Sequence, residues 1–406
     1  MTRLRLRRDV IWRIENQRLR LLDPATRQAR FYKADVTGHL DEDGTVSDRM
    51  LGSALFGALQ AARLLEPADD EAATTDDALS ARRAWGHGPL NVTVQVTDAC
   101  NMRCGHCHNR ERGTERIDLA RFRTLVAELR TMRVFNVNIS GGEPLLHPDV
   151  IELVAAVYAA GLNVTMSTNA TLLTHELACG LFASGLRRVH VSLDSSVARE
   201  HDRIRGRRNA YARLVKGLSI LRSSGIAYTL VTTLINQSAE TYEAAIDTAF
   251  SLGASAHKVN LVVPQGRASR DTGPSREQVT RWAEAFRSKR AEYEGRMRVM
   301  AETMFLMVSA LSAADFGSGA RPTCPAGVLT CGVDVTGEVH PCSFFTGHTM
   351  GNAFADGGFA AIWQSRGWAP IRRRNTPNAA GVGTFGGCAA RAYGCSGTLD
   401  AADPLA

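Results

Sequence analysis

The chain has 406 residues, enough for two or three domains, and its 44% apolar content is that of an ordinary globular protein. No apolar run reaches membrane-spanning length, and the basic N-terminus lacks the apolar centre and cleavage site of a signal peptide, so a cytoplasmic protein with no membrane partner is expected. The net charge of +7 sits in arginine runs without interleaved aromatics, which argues against a nucleic-acid partner, and nine cysteines gathered mainly in loops suit metal binding in a reducing compartment better than disulfides.

In chain order, residues 1–67 open with a stretch (DVIWRIENQRLRLLDPATRQARFYKAD) that reads as two or three antiparallel strands, with DPATRQ as a turn. A helical segment, DRMLGSALFGALQAARLL, follows. Residues 68–89 are acidic, then basic, and poor in apolar residues, which predicts an exposed linker. From residue 90 to about 300, strand-like and helix-like periods alternate. VTVQVTD, VFNVNIS, NVTMST, RVHVSLD, AYTLVTTLI and HKVNLVV read as strands, and the helical stretches between them mostly end at glycine. Six βα units imply a parallel sheet with right-handed crossovers, and nearly continuous apolar strands suggest burial on both faces. A site in such a sheet lies at the C-terminal ends of the strands.

The chemistry starts in VTDACNMRCGHCHNR, where Cys100, Cys104 and Cys107 follow the first of these strands. Three thiolates can hold three irons of a cubane and leave the fourth iron open to a ligand. On this loop alone, with His106 and His108 among the cysteines, a Cys3His zinc site is the alternative. Further blocks follow in order. VFNVNISGGEPLLHPD carries Gly141, Gly142, Glu143 and Pro144; VTMSTNATLLT carries Thr168 and Asn169; RVHVSLDSSVAREHDRIRG carries Ser192, Asp194 and Arg205; and HKVNLVVPQGRA closes the series. The glycines let backbone approach a ligand without a Cβ in the way.

Together these blocks resemble the radical S-adenosyl-L-methionine (SAM) superfamily, closely from Leu90 to about Arg270 and more loosely to the C-terminus. The resemblance implies a partial (β/α)6 barrel over residues 90–300, with a small α+β N-terminal region at residues 1–67. It implies a SAM-binding 4Fe-4S cluster on Cys100, Cys104 and Cys107, whose open iron chelates the amine and carboxylate of SAM. Gly141, Gly142, Glu143, Pro144, Thr168, Asn169, Ser192, Asp194 and Arg205 are then cofactor-binding residues, with Glu143 as acceptor for the methionine ammonium. The N-terminal strands and helix are similar to the PqqD-like peptide-recognition element of ribosomal-peptide pathways; an α+β appendage capping the barrel is the other reading. Cys179 lies mid-helix in ELACGLFASG, where a buried structural thiol is expected.

Residues 301–406 hold Cys324, Cys331, Cys342, Cys388 and Cys395. CPAGVLTCGVDVTGEVHPCSFF, with Cys324, Gly337 and Cys342, resembles the opening of SPASM and twitch extensions, and VDVTGEVHPC reads as a β-hairpin. A full SPASM domain has a C-x2-C-x5-C-x3-C block; here Phe385 stands at its first position. The tail is more similar to that of haem-biosynthetic radical SAM proteins, with Ala406 where the closing cysteine would be. Five thiols satisfy one four-iron cluster with one left over. One auxiliary 4Fe-4S cluster is expected, on Cys324, Cys342 and Cys395 with Cys331 or Cys388 as the fourth ligand; two clusters with open irons, or a zinc knuckle, are the alternatives.

The resemblance implies an oxidoreductase or maturase that forms a 5′-deoxyadenosyl radical and activates a C–H bond, drawing electrons from an external donor such as flavodoxin or ferredoxin. A ribosomally made peptide precursor is the leading substrate. A small molecule in cofactor or antibiotic biosynthesis (haem-type decarboxylation, sugar or nucleoside oxidation or epimerisation) is the alternative, and a non-catalytic iron–sulfur or zinc protein the third. A radical is quenched in an open site, so the N-terminal and C-terminal regions are both candidate caps.

Overall fold

The computed structural model describes residues 4–7, 10–15, 18–23, 28–32, 40, 46–47, 50–51, 53–67, 88–109, 113–268, 273–309, 311, 323–355, 357–375 and 388–396. Most of the 68–89 linker and the centre of the DPATRQ turn lie outside these residues.

The N-terminal region contains β1 (Leu4–Leu6), β2 (Ile11–Glu15), β3 (Arg18–Asp23), β4 (Gln28–Tyr32), α1 (Ala54–Ala61) and β5 (Leu65–Pro67). Strands β2, β3 and β4 form the expected antiparallel sheet, while β1 and β5 pair separately. Ser53 caps α1 by accepting from the Phe56 N–H, and Leu55 and Leu59 face a small core with Leu6, Trp12, Leu19 and Leu21.

The central region runs β6 (Asn91–Gln95), α2 (Leu119–Thr131), β7 (Asn136–Ser140), a 3-10 turn (Pro144–Leu146), α3 (Val150–Ala159), β8 (Asn163–Thr168), α4 (His175–Ala183), β9 (Arg188–Ser192), α5 (Ala198–Arg205), α6 (Ala210–Ser223), β10 (Ala227–Leu234), α7 (Ala239–Ser251), β11 (Ala256–Leu261), α8 (Arg276–Glu292), β12 (Arg298–Ala301) and α9 (Thr303–Val308). The C-terminal region adds β13 (Thr330–Val333), β14 (Val339–His340), α10 (Phe359–Gln364), a 3-10 turn (Arg366–Trp368), α11 (Ala369–Asn375) and α12 (Ala389–Ser396). Strands β6 to β12 are parallel and adjacent in chain order, so the six expected strands gain a seventh, β12, at one edge. At the other edge β13 pairs parallel with β6 and turns back as the expected hairpin with β14, making the C-terminal region continuous with the barrel sheet.

The strands are not apolar on both faces. Val92, Val94, Val137, Ile139, Met166, Val189 and Val191 are buried under the helices, while the alternate positions, Asn136, Asn138, Thr165, Ser167 and His190 among them, line an internal cavity of about 860 Å³. Period-2 alternation puts them there. The polar inner face is held by hydrogen bonds along the wall, from Asn136 Nδ2 to Thr165 Oγ1 (3.2 Å) and from Asn138 Nδ2 to Ser167 Oγ (3.1 Å).

The N-terminal sheet docks where the strands begin. The Arg133 guanidinium, in the loop before β7, lies 5.2 Å from the Trp12 ring centroid and donates to the Trp12 carbonyl (3.3 Å). Leu22 of β3 enters the barrel core and Arg20 reaches the cavity wall. The described N-terminal residues therefore close the floor of the barrel, opposite the strand ends that carry the motifs, and do not cap them as expected. No helix among the described residues is long and apolar enough to cross a membrane.

Candidate functional site

The cysteine loop leaves β6 and folds across the C-terminal ends of the strands. Cys100, Cys104 and Cys107 line the cavity together with Gly141, Gly142, Glu143, Thr168, Asn169, Ser192 and Arg205. Pro144 is buried behind them at the start of its 3-10 turn, and Asp194 is completely buried behind Arg205. The nine non-cysteine residues singled out from the sequence thus surround or directly support one space.

The glycines of the GGEP block also answer a steric demand from within the chain. A Cβ on Gly142 would stand 2.3 Å from the Ala99 carbonyl oxygen and 2.6 Å from that of Asp98. The close neighbour is the cysteine loop's own backbone, and the approach lets Gly142 N donate to Thr97 O (2.7 Å) and Glu143 N donate to Ala99 O (2.8 Å). Gly206, after α5, has φ of 62° and meets the Arg103 carbonyl in the same way, at 2.3 Å from an added Cβ.

Further clamps hold the loop, and of their side chains only Asn169 was singled out from the sequence. Arg267 donates from Nε to Cys104 O (2.9 Å) and from its backbone to Cys107 O (2.9 Å). Arg207 reaches Asn101 O (2.6 Å), and Asn169 Nδ2 reaches Asn101 Oδ1 (2.8 Å). Asn109 Nδ2 donates to Gly141 O (3.4 Å). Arg267 falls in the PQGRA stretch after β11, so a signal was present; its partners, over 150 positions upstream, were not readable.

Glu143 is almost inaccessible and accepts from Thr168 Oγ1 (2.6 Å), Asn169 N (2.7 Å) and Leu145 N (3.2 Å). Burial pushes its carboxyl up to about 7 despite these bonds. A carboxylate has about four acceptor positions, so one remains for a ligand donor. Asp194 pairs with Arg205 at 2.7 Å and accepts from Thr233 N (3.1 Å). Burial works to raise Asp194, but the Arg205 charge, the two nearby histidines and the Thr233 N–H together outweigh it and hold the carboxyl below its usual range. The Arg205 guanidinium also lies 3.8 Å from Cys104 Sγ. Burial lowers His106 and His108 to about 4, so both imidazoles are neutral, and raises the Cys107 thiol.

The donor set fits the groups the motifs imply. Arg205 Nε and His106 Nδ1 are buried at the cavity wall with no hydrogen-bond partner among the described residues, ready for an anionic or hydroxylated ligand. No three His, Cys, Asp or Glu side chains among the described residues converge on a single-ion position.

The C-terminal cysteines approach the same space. Cys324, Cys342 and Cys388 also line the cavity, and the hairpin strand β13 between them in sequence pairs with β6, from which the cysteine loop leaves. Cys331, in β13, is fully buried; burial raises its thiol and the Cys342 sulfur is near enough to raise it further. Burial pushes Cys342 up to about 12, with Cys388 as its nearest charged contributor. Cys395, on α12, is half-buried and is not on the cavity wall. Cys179 is exposed on α4, with its sulfur 3.6 Å from His175 Nε2, and is not the buried thiol expected from its helical setting.

A parallel sheet curled around a polar cavity, with a three-cysteine loop over its C-terminal mouth and a cysteine-rich hairpin domain added at its edge, defines an iron–sulfur barrel enzyme. Residues 94–249 match the radical SAM superfamily and residues 324–381 match the SPASM iron–sulfur cluster-binding domain. A mycofactocin maturase from Mycolicibacterium smegmatis is 30% identical over 332 residues, covering 78% of this chain and 82% of the relative. An AdoMet-dependent heme synthase from Methanosarcina barkeri is 27% identical over 337 residues, covering 77% and 95% respectively. The fold is shared with Streptococcus suis SuiB bound to its precursor peptide SuiA, at a TM-score of 0.74 over 99% of both chains and 16% identity. The chain belongs to the radical SAM superfamily and carries a SPASM extension. The family is catalytic, its cofactors are a 4Fe-4S cluster and SAM, and the SPASM domain brings auxiliary iron–sulfur clusters.

Proposed function

We propose that this protein modifies a peptide precursor by C–H activation in the cavity between the cysteine loop and the SPASM cysteines. Cys100, Cys104 and Cys107 would hold the catalytic cluster, with Glu143 receiving the SAM ammonium and Ser192 and Arg205, the latter held by Asp194, facing its ribose and carboxylate. Cys324, Cys342 and Cys388, with Cys331, would hold an auxiliary cluster. Cluster and SAM together supply a carbon-centred radical that removes hydrogen from an unactivated C–H bond. The protein's part is to fix the cysteine loop through Gly142, Arg207 and Arg267 and to keep bulk water from the cavity. A flavodoxin or ferredoxin in a reducing cytosol would supply the electrons.

The observation that carries the reading is that six cysteines from two regions of the chain open onto one polar cavity. The maturase relative and the SuiB fold favour a peptide substrate. The heme synthase relative, covering 95% of its own length, favours a small carboxylated substrate as the second reading.

The test is anaerobic reconstitution followed by reduction with SAM present. We expect about eight irons per chain, from one catalytic and one auxiliary cluster, and release of 5′-deoxyadenosine. Cys104→Ala should abolish that release. Cys342→Ala should keep part of it while losing product. Full turnover by Cys342→Ala would remove the auxiliary cluster from the reaction, and no nucleoside from the wild type would sink the catalytic reading. A precursor-like gene beside this one favours the peptide, and tetrapyrrole genes favour the second reading.

A further inference from the structure

One wall of the cavity, Ser192 apart, is not used by the groups assigned above. Strands β9 and β11 bring His190, Ser192, Lys258 and Asn260 to the inner face. Val231 of β10 is in register with Ser192 on one side and Lys258 on the other. His190 sits two residues below Ser192 and so about 7 Å deeper in the barrel. Glu302 follows the edge strand β12 and forms an ion pair with Lys258. All five side chains line the cavity, and all are partly accessible to it.

This wall has unused hydrogen-bonding capacity. An ammonium has three donors, and Glu302 is the acceptor for Lys258 among the described residues. His190 Nδ1 and Asn260 Oδ1 are buried without a hydrogen-bond partner. Buried polar atoms are ordinarily satisfied, so two on one cavity wall point to a ligand that completes them. Burial, with the Lys258 and Arg188 charges, keeps the His190 imidazole neutral, one nitrogen donating and the other accepting. The balance of charge favours an anion: once Lys258 is paired with Glu302 and Arg205 with Asp194, Arg20, Arg188 and Arg267 line the cavity against Asp98 and Glu143.

We propose that Lys258, His190 and Asn260 form a substrate subsite for a carboxylate with a neighbouring N–H, and that Glu302 holds Lys258 in place. The ammonium and the imidazole N–H donate to the carboxylate, and Asn260 Oδ1 accepts the N–H. The pattern matches an acidic residue within a peptide; a small-molecule carboxylate offers the same anion without the N–H. This inference rests on the proposed function, since it places the reacting substrate in that cavity.

The test titrates the reconstituted full-length protein, with SAM present and unreduced, against N-acetyl-glutamate N-methylamide, its glutamine counterpart and glutarate. Charge-assisted hydrogen bonds should make the glutamate probe bind about tenfold tighter than the glutamine probe. Lys258→Met should abolish that preference. Glu302→Gln, which leaves the ammonium uncompensated, should tighten both carboxylate probes, a gain that a merely structural ion pair would not produce. Asn260→Leu should weaken the glutamate probe and leave glutarate unchanged. Equal binding of the glutamate and glutamine probes, or a preference that survives Lys258→Met, overturns the subsite. Should Lys258→Met not fold, absence of a gain in Glu302→Gln overturns it instead. Glutarate binding as tightly as the glutamate probe overturns the Asn260 contact and the peptide source. SAM cleavage by the same wild-type preparation separates the two claims: cleavage without carboxylate preference sinks the subsite alone, and preference without cleavage sinks the proposed function alone.

Discussion

Arg205 is the residue on which the electrostatics of the cavity mouth turn. Its guanidinium is buried, pairs with the fully buried Asp194 at 2.7 Å and lies 3.8 Å from Cys104 Sγ. Replacing Arg205 with Met leaves a carboxylate in the interior without its main counter-charge. Breaking a buried pair from one side costs about 3–5 kcal/mol, because the remaining charge is uncompensated. Burial then dominates Asp194 and raises its pKa, so the penalty grows as pH rises through the raised value and shrinks below it. We expect the destabilisation of Arg205→Met relative to the wild type to be smallest at acid pH and to grow as pH rises. Adding Asp194→Asn should recover much of the loss and flatten the pH dependence. Denaturant unfolding of the metal-free single and double variants measures this, and a double variant as unstable as the single one contradicts it. The two residues stood in one sequence block, but their pairing did not: α5 lies between them and brings its last residue back under β9. Similarly, the order of the late cysteines was not readable. Cys388 and Cys395 are seven positions apart, and only the course of the chain puts the former on the cavity wall.

At the scale of elements, legibility followed pattern length. The six long parallel strands each carry five or more residues of strand character and a helix after them, so their number and order could be read. Strand β12 and the pairing of β13 with β6 could not, because four-residue strands leave almost no periodic trace and their partners are set by tertiary contact. The N-terminal sheet was readable as a sheet, but not the end of the barrel it covers. That depends on Arg133 meeting Trp12 across 121 positions and on Leu22 leaving its own small core for the larger one. Shared core has an energetic consequence. Leu22 is completely buried among barrel residues, and Leu→Ala at such a site costs about 2–5 kcal/mol. We expect Leu22→Ala to lower the unfolding temperature of the whole chain, as followed by calorimetry, and not merely to melt the N-terminal sheet. A separate low-temperature transition with the main one unmoved would make that region an autonomous module. For the same reason, deletion of residues 1–67 exposes barrel core, and any lost peptide binding must be read against the stability of the truncated protein.

At the scale of the whole molecule, the polar cavity forces buried titratable groups on the protein, and these set its response to acid. The strand pattern contained the polar inner positions, in Asn136-x-Asn138-x-Ser140 for example, but their significance needed the closed curvature of the sheet. Burial holds His190 and His201 at about 4 and His257 at about 3, below the ordinary value of 6.5. For a histidine whose folded pKa is depressed, the stabilising contribution is complete above 6.5 and is lost as pH falls toward the folded value. A shift from 6.5 to about 4 corresponds to roughly 3 kcal/mol per group over that range. Glu143 acts in the opposite sense: raised to about 7, its contribution is present below its ordinary value of 4.5 and is lost as pH rises through 7. With His106 and His108, also held at about 4, five histidines outweigh one glutamate, so the metal-free protein should lose stability steadily from pH 6.5 to pH 4. His257 is the cleanest probe, because it lies far from the cysteine loop in a buried contact with Thr232 (2.9 Å). His257→Gln removes the titrating group and should flatten the slope by about a quarter, five such groups contributing comparably against one glutamate. Glu143→Gln removes the opposing contribution and should steepen it. Denaturation midpoints measured every half pH unit read both effects, and identical slopes in the wild type and His257→Gln would show that this ring does not stay neutral because of its burial.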